Sequence, residues 1–169
     1  MTKIGLLSDT HAVLDPRVLD FLKGSDEIWH AGDWGDISLY EGLSELAPVR
    51  GVYGNVDGPV NTSLLPENQI FMVEKVKVLM THIGGYPGRY EPRVRKLILQ
   101  EKPRLFISGH SHILKVVYDK KYELLHINPG AAGHSGFHKV ITAVRFEING
   151  DRIENLQVFE VPRKGRMGY

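Results

Sequence analysis

Five short polar clusters in this chain each follow an apolar run, and each carries a side chain able to bind a metal or move a proton. They are Asp9-Thr10-His11, Gly32-Asp33, Gly54-Asn55, Thr81-His82 and Gly109-His110-Ser111-His112. Pooled, they offer the carboxylates of Asp9 and Asp33, the amide of Asn55 and the imidazoles of His11, His82, His110 and His112. That is a donor set for two divalent ions. The chain has no cysteine, so thiolate catalysis, disulfides and sulfur-ligated metals are excluded, and any ion must be held by nitrogen and oxygen. Taken singly the clusters mean little, because Gly-Asp and Gly-Asn are ordinary turn dipeptides. Their weight lies in all five closing apolar runs.

Those runs read as strands: Lys3–Ser8, Glu27–Ala31, Val49–Tyr53, the second half of "QIFMVEKVKVLMTH", and Leu105–Ser108. Between them the pattern predicts a helix from Pro16 to Lys23 capped by Asp15, a second over Ile37–Leu46, and a third from Pro92 to Glu101. Strand and helix in alternation imply parallel strands, whose carboxyl ends share one edge where ligand crevices form. The i, i+2 spacing of Asp9 with His11, and of His110 with His112, puts each pair on one side if strand geometry continues. The glycines before Asp33, Asn55 and His110 suit turns where backbone passes close to a ligand. His30 and His126 fall inside strand-like segments and read as packed core residues. From Lys115 onward "LKVVYD", "YELLHIN", "KVITAVRFEI" and "RIENLQVFEV" read as an antiparallel meander. The expected fold is α/β, a four-layer α/β/β/α sandwich of two mixed sheets flanked by helices, although a single mixed sheet fits the same pattern. We expect one domain over 1–169, with a mobile basic tail at 163–169.

Bulk properties narrow the partners. Net charge is +1 with neutral histidine, which leaves no clear nucleic-acid footprint. No stretch approaches ~20 apolar residues and the N-terminal run is too short for a signal peptide, so a cytoplasmic protein without membrane contact is expected. Homo-oligomerisation is left open.

With these residues in hand, the sequence resembles the calcineurin-like metallophosphoesterases, in particular their small single-domain prokaryotic phosphodiesterase branch. The matching stretches are "SDTH", "AGDWGD", "GNVD", "THIGG" and "SGHSH", with the "NPGA" turn at Asn128–Ala131. The resemblance implies that Asp9, His11 and His112 hold one metal, that Asn55, His82 and His110 hold the other, and that Asp33 bridges them. It implies a hydrolase in which a metal-bridging hydroxide attacks a small phosphoester in line, with Asp33, Asn55 and Asp57 as the catalytic residues. Asn55 and His134 are the expected substrate contacts. The cofactors implied are two divalent ions, manganese first, with zinc, iron or nickel also compatible with a nitrogen-and-oxygen set.

Two departures stand out. Larger relatives place a histidine between the Asn and Asp of the third motif, where this chain has Val56; without that acid, esters with good leaving groups should be preferred. After His82 the branch often continues Gly-His, where this chain has Ile83-Gly84-Gly85. The rivals are a phosphomonoesterase of the same fold and a non-enzymatic module like the scaffold subunit of retromer, which resembles this branch with a damaged ligand set. All seven ligand positions here are intact. A metallo-β-lactamase-like enzyme would show an H-x-H-x-D-H cluster, and none is present.

Overall fold

The computed structural model describes residues 1–163, so all but the first residue of the expected basic tail lies outside the described residues. In the first half β1 (Thr2–Leu7), α1 (Pro16–Leu22), β2 (Glu27–His30), α2 (Ser38–Ser44) and β3 (Val49–Gly51) alternate as expected. α3 (Pro59–Leu64) follows, then β4 (Asn68–Val73), β5 (Val76–Thr81), the short pair β6 (Gly85–Tyr86) and β7 (Arg89–Tyr90), α4 (Pro92–Glu101) and β8 (Leu105–Ile107). The chain closes with β9 (Leu114–Asp119), β10 (Leu124–Pro129), β11 (Val140–Asn149) and β12 (Arg152–Pro162).

The helix starts follow from local chemistry. Asp15 accepts a hydrogen bond from Arg17 N–H at 2.8 Å ahead of Pro16, and Glu91 accepts from Val94 N–H at 3.3 Å ahead of Pro92. Each carboxylate satisfies an amide that the first turn leaves without a partner. α4 stops at Lys102, which turns left-handed (φ 50°) before Pro103.

Two five-stranded mixed sheets result, in the orders β12-β11-β1-β2-β3 and β4-β5-β8-β10-β9. They pack face to face. Ile4 and Leu6 of β1 and Val144, Phe146 and Ile148 of β11 meet Val76, Val78, Met80, Leu105, Ile107 and Ile127 of the other sheet. On the outer face of the first sheet, Leu7, Ile28, Ile141 and Ala143 pack on Val18 and Leu22 of α1 and Leu39 and Leu43 of α2. On the outer face of the second, Leu79, Phe106 and Leu124 pack on Val94 and Ile98 of α4. The four layers are therefore helix, sheet, sheet, helix, each joined by fully buried side chains worth roughly 1.5–3 kcal/mol apiece.

The late strands correct the expected meander. β9 and β10 form a hairpin in the second sheet, whereas β11 and β12 form one in the first. Gly130–Lys139 therefore carries the chain from one sheet to the other, and that crossing passes beside the clusters. The parallel strands β1, β2 and β3 of one sheet and β5, β8 and β10 of the other end at the same edge of the sandwich.

Candidate metal centre

Each cluster begins where a strand stops. β1 ends at Leu7, β2 at His30, β3 at Gly51, β5 at Thr81 and β8 at Ile107. Beyond those points the backbone leaves extended geometry: Asp9, His11, Asp33, His110 and His112 have φ of 54°, 46°, 60°, 73° and 62°. The expectation that Asp9 and His11, or His110 and His112, share a side through strand alternation is thus corrected. A left-handed residue turns each side chain inward instead, at a cost of the order of 1–3 kcal/mol each for a non-glycine residue. Tying the loops to one another offsets that strain. Asp9 N–H donates to Gly32 O at 2.9 Å, His11 N–H to Asp33 O at 3.1 Å, and Gly109 N–H to His82 O at 3.0 Å. The glycines answer to the same crowding. A Cβ on Gly54 would collide with the Asp33 carboxylate, and one on Gly32 (φ +103°) would sit 2.6 Å from His82 Nδ1. They let side chains of the site approach backbone, rather than a ligand.

Six of the seven expected ligands fall into two groups, Asp9 with His11 and His112, and Asp33 with His82 and His110. The seventh, Asn55, places Oδ1 3.0 Å from His110 Nδ1. His112 Nε2 is 3.2 Å from Asp9 Oδ1, and His11 Nε2 is 3.9 Å from the same oxygen. Asp33 Oδ2 lies 3.1 Å from His82 Nε2 in one group and 3.8 Å from His11 Nε2 in the other. Two donors on one ion at ~2.1 Å are separated by about 3.0–3.5 Å, so most of these spacings are edges of a coordination shell. Asp9 Oδ1, His11 Nε2 and His82 Nε2 are buried without a hydrogen-bond partner, although they crowd together. Each orphan costs about 1–3 kcal/mol unless something satisfies it, and cations in the two groups would answer the carboxylate oxygen and both imidazole lone pairs. The residues fit the ions.

Neighbouring groups aim the donors. His82 Nδ1–H donates to Ala31 O at 2.7 Å, which leaves the Nε2 lone pair facing the site. His138 Nε2–H donates to Gly133 O at 2.8 Å, so its Nδ1 is the acceptor for His112 Nδ1–H, 3.1 Å away. That assignment frees the Nε2 lone pair of His112 as well. Burial depresses the pKa of His138, consistent with a neutral acceptor. Ser8 Oγ–H donates to Asp9 Oδ2 at 2.7 Å and His110 N–H to the same oxygen at 3.1 Å, so Oδ1 is the free one. Burial pushes the Asp33 carboxyl up, but His82, the Val56 N–H and His11 outweigh it, and its pKa lies below the ordinary value. Burial likewise pulls His82 down, but Asp33, Asp9 and the Ala31 carbonyl outweigh it, and its pKa is raised.

Two expected residues lie elsewhere. Asp57 accepts from Asp33 N–H and Gly54 N–H through Oδ2, and from Gly35 N–H and Asn61 Nδ2 through Oδ1. With both oxygens committed it cannot act as an acid or base on a substrate; it is a positioning residue that ties the Gly-Asp and Gly-Asn loops together. His134 is exposed and pairs its Nε2 with Asp15 Oδ2 at 3.0 Å, at the start of α1. His138, from the same loop, is the histidine that reaches the centre. Asn128 went unassigned as well: its Nδ2 donates to Gly109 O and Ser111 Oγ, bracing the His110–His112 turn. Trp34 is buried, stacked on His30 at 3.8 Å with Nε1–H on Val52 O.

The chain has relatives of known family. The family described as the calcineurin-like phosphoesterase superfamily domain matches residues 2–151. A probable metallophosphoesterase of Methanothermobacter thermautotrophicus is 30% identical over 133 residues, 76% of each chain. Among solved structures, wild-type Vps29 of Entamoeba histolytica complexed with zinc superposes with a TM-score of 0.75 at 19% identity, covering 96% of this chain and 99% of that one. A structure described as a novel archaeal phosphodiesterase gives 0.73 at 18% identity, covering 94% and 99%. At those identities the two structural likenesses are ones of fold.

Proposed function

The chain belongs to the calcineurin-like phosphoesterase superfamily, and from that membership we propose that it is a metal-dependent phosphodiesterase with places for two divalent ions. Asp9, His11 and His112 hold one ion, Asn55, His82 and His110 the other, and Asp33 serves both. The observation that carries this reading is the convergence of those seven side chains on a spot where three buried polar atoms lack any partner. When bound, such ions polarise a phosphoryl oxygen and supply an activated water near neutral pH.

The chain's own part is positioning. Asp33 is fixed through Oδ1 by Val56 N–H at 3.0 Å, so Oδ2 stays turned toward both groups. Asn55 and His110 are the exposed members, on the side from which a small phosphoester arrives. Val56 contributes its backbone and leaves an exposed apolar side chain, so no proton donor stands at that position. Aryl esters, whose leaving groups need no protonation, are therefore the preferred substrates. A nitrogen-and-oxygen donor set with four imidazoles favours manganese, zinc or iron over magnesium. Among the described residues no helix is long and apolar enough to cross a membrane.

The test is hydrolysis of bis(p-nitrophenyl) phosphate and p-nitrophenyl phosphate, with added Mn²⁺ and after chelation. We expect metal-dependent turnover with the diester ahead. A faster monoester makes the protein a phosphomonoesterase. No turnover of either by folded, metal-supplemented protein contradicts catalysis and leaves the interaction-module reading.

A further inference from the structure

An open sheet has to guard its outer strands against pairing with other chains, and three of the four edges here are guarded. β3 is only three residues long. β12 shifts register against β11 between Arg145 and Glu147, beside a left-handed Asn155 (φ 55°), and such a bulge bends the edge. β4 lies against charge, with Arg50 standing 4.2 Å over the Phe71 ring and Arg93 donating to Asn68 Oδ1 at 2.8 Å. β9 is different. It pairs six successive residues with β10 without a shift, contains no proline, and among the described residues has no strand on its other side. Val116, Val117 and Tyr118 in its middle are 40%, 38% and 59% exposed. A flat, apolar edge with unpaired N–H and C=O groups is a template for one more strand.

The charges toward its ends say which strand that is. Leu114 packs between the two sheets, so alternation turns Leu114, Val116 and Tyr118 to that side and Lys115, Val117 and Asp119 to the other. Lys115 rests its ammonium 3.8 Å over the Tyr86 ring, while Asp119 accepts from Tyr90 O–H at 2.6 Å and from Lys121 N–H at 2.9 Å. Neighbours thus hold both charges in place, yet among the described residues neither meets a charge of opposite sign. A carboxylate has acceptor sites for about two further donors, and the ammonium has N–H groups to give. The two charges stand on one face, two residues to either side of Val117.

We propose that β9 is a dimer interface, in which the strand pairs antiparallel with β9 of a second copy of this chain about a twofold axis at Val117. In that register Lys115 lies opposite Asp119 of the second copy, and Asp119 opposite its Lys115, so both unmatched charges are answered twice over. Val116 lies opposite Tyr118 of the second copy, an aromatic with β-branched pair of the kind that stabilises sheets, and Val117 meets its own image. The match is particular to this register. Sliding the copies by two residues, the smallest slip that keeps the faces, sets Lys115 opposite Val117 or opposite Lys121. The same patch serves on both copies, as twofold symmetry requires, and the two second sheets become one of ten strands. Pairing of this kind needs neither metal nor substrate and stands apart from the proposed hydrolysis.

Analytical ultracentrifugation of the full chain, from micromolar to near-millimolar protein, tests the interface. The wild type should approach twice the 19.0 kDa of one chain. Lys115→Asp sets carboxylate against carboxylate at both ends of the paired strands, and Val117→Lys sets two ammonium groups at the axis. Each should raise the dissociation constant roughly tenfold or more, because like charges directly opposite repel. Lys115→Asp combined with Asp119→Lys inverts both charges, restores the match, and should bring the constant back to within about threefold of the wild type. Melting curves accompany each variant, and crosslinking stands in for any that fails to fold. The chain has no cysteine, so Val117→Cys supplies a single thiol that a short bismaleimide should join to the same position of a second copy. Val158→Cys, on the exposed side of β12, should stay unjoined. A monomer throughout the series overturns the proposal. So does a dimer that neither Lys115→Asp nor Val117→Lys weakens, or one that the double variant fails to restore, or one crosslinked through Val158→Cys alone.

Discussion

The two donor groups differ in what aims their histidines. In the second group the innermost ring, His82, hangs on the carbonyl of Ala31, backbone at the end of a central strand. In the first group His112 leans on His138, a side chain from the loop that crosses between the sheets. The two aimed rings differ in burial too: His82 is 3% exposed at its side chain, whereas His112 is 17% exposed. A carbonyl cannot be substituted away, but a loop histidine can. The first ion should therefore be tunable through His138, whereas no side chain stands in that place behind His82.

Removing what the groups share erases the contrast. Asp33→Ala takes away the carboxylate oxygen that lies nearest to both His11 and His82, at 3.8 and 3.1 Å against 3.9 and 3.8 Å for Asp9 Oδ1, and activity should fall at least ~10³-fold with both ions weakened. Near-normal turnover would show that the groups do not work as a pair. The contrast itself is probed by His138→Ala, which leaves all seven donors in place. Loss of an outer partner typically lowers metal affinity ~10–100-fold, and calorimetric titration should show that loss at one of two ions only. Equal weakening of both would remove the distinction. Asp57→Asn tests the scaffold behind Asp33, because an amide nitrogen would then meet N–H donors where an oxygen accepted. We expect about 1–3 kcal/mol of lost stability by urea denaturation. An unchanged midpoint would return Asp57 to the pool of candidate catalytic groups.

The smallest effect concerns the histidines outside both groups. Burial holds His30 at a pKa of about 3 and His126 at about 4, against an ordinary 6.5. In the unfolded chain both titrate near 6.5, so that state binds more protons in between, and stability rises with pH there. The stabilisation is complete above about 6.5 and is lost as pH falls toward the folded values. Each such proton contributes at most about 1.4 kcal/mol per pH unit. His126→Phe should flatten the fall of the urea midpoint between pH 6 and 4 by about one proton. An unchanged slope would mean that His126 is not held neutral.

Much of the fold was legible because its signals are local. Asp15-Pro16 and Glu91-Pro92 announce helix starts through their own side chains, and each polar cluster marks a strand end by interrupting an apolar run. What escaped depended on contacts across the chain. The hairpins after Lys115 read as one meander, because nothing within them says which sheet each will join. The periodicity that marks the other elements misses α3 and the β6–β7 pair, although Gly58-Pro59 and Pro87-Gly88 are a helix start and a turn in plain view. The seven donors were identifiable by type and order, yet the reason they converge was not. Five of their backbones turn left-handed, which no alternation rule anticipates. His134 and His138 look alike in "GHSGFHK"; only the fold puts the first on Asp15 and the second on His112.

The central claim is that one carboxylate, Asp33, unites two ion sites. Anomalous diffraction from crystals grown with Mn²⁺ tests it most directly. The account predicts two peaks per chain, about 3.5–4 Å apart, one among Asp9, His11 and His112, the other among Asn55, His82 and His110, with Asp33 Oδ2 between them. A single peak, or two that do not share Asp33, would contradict it.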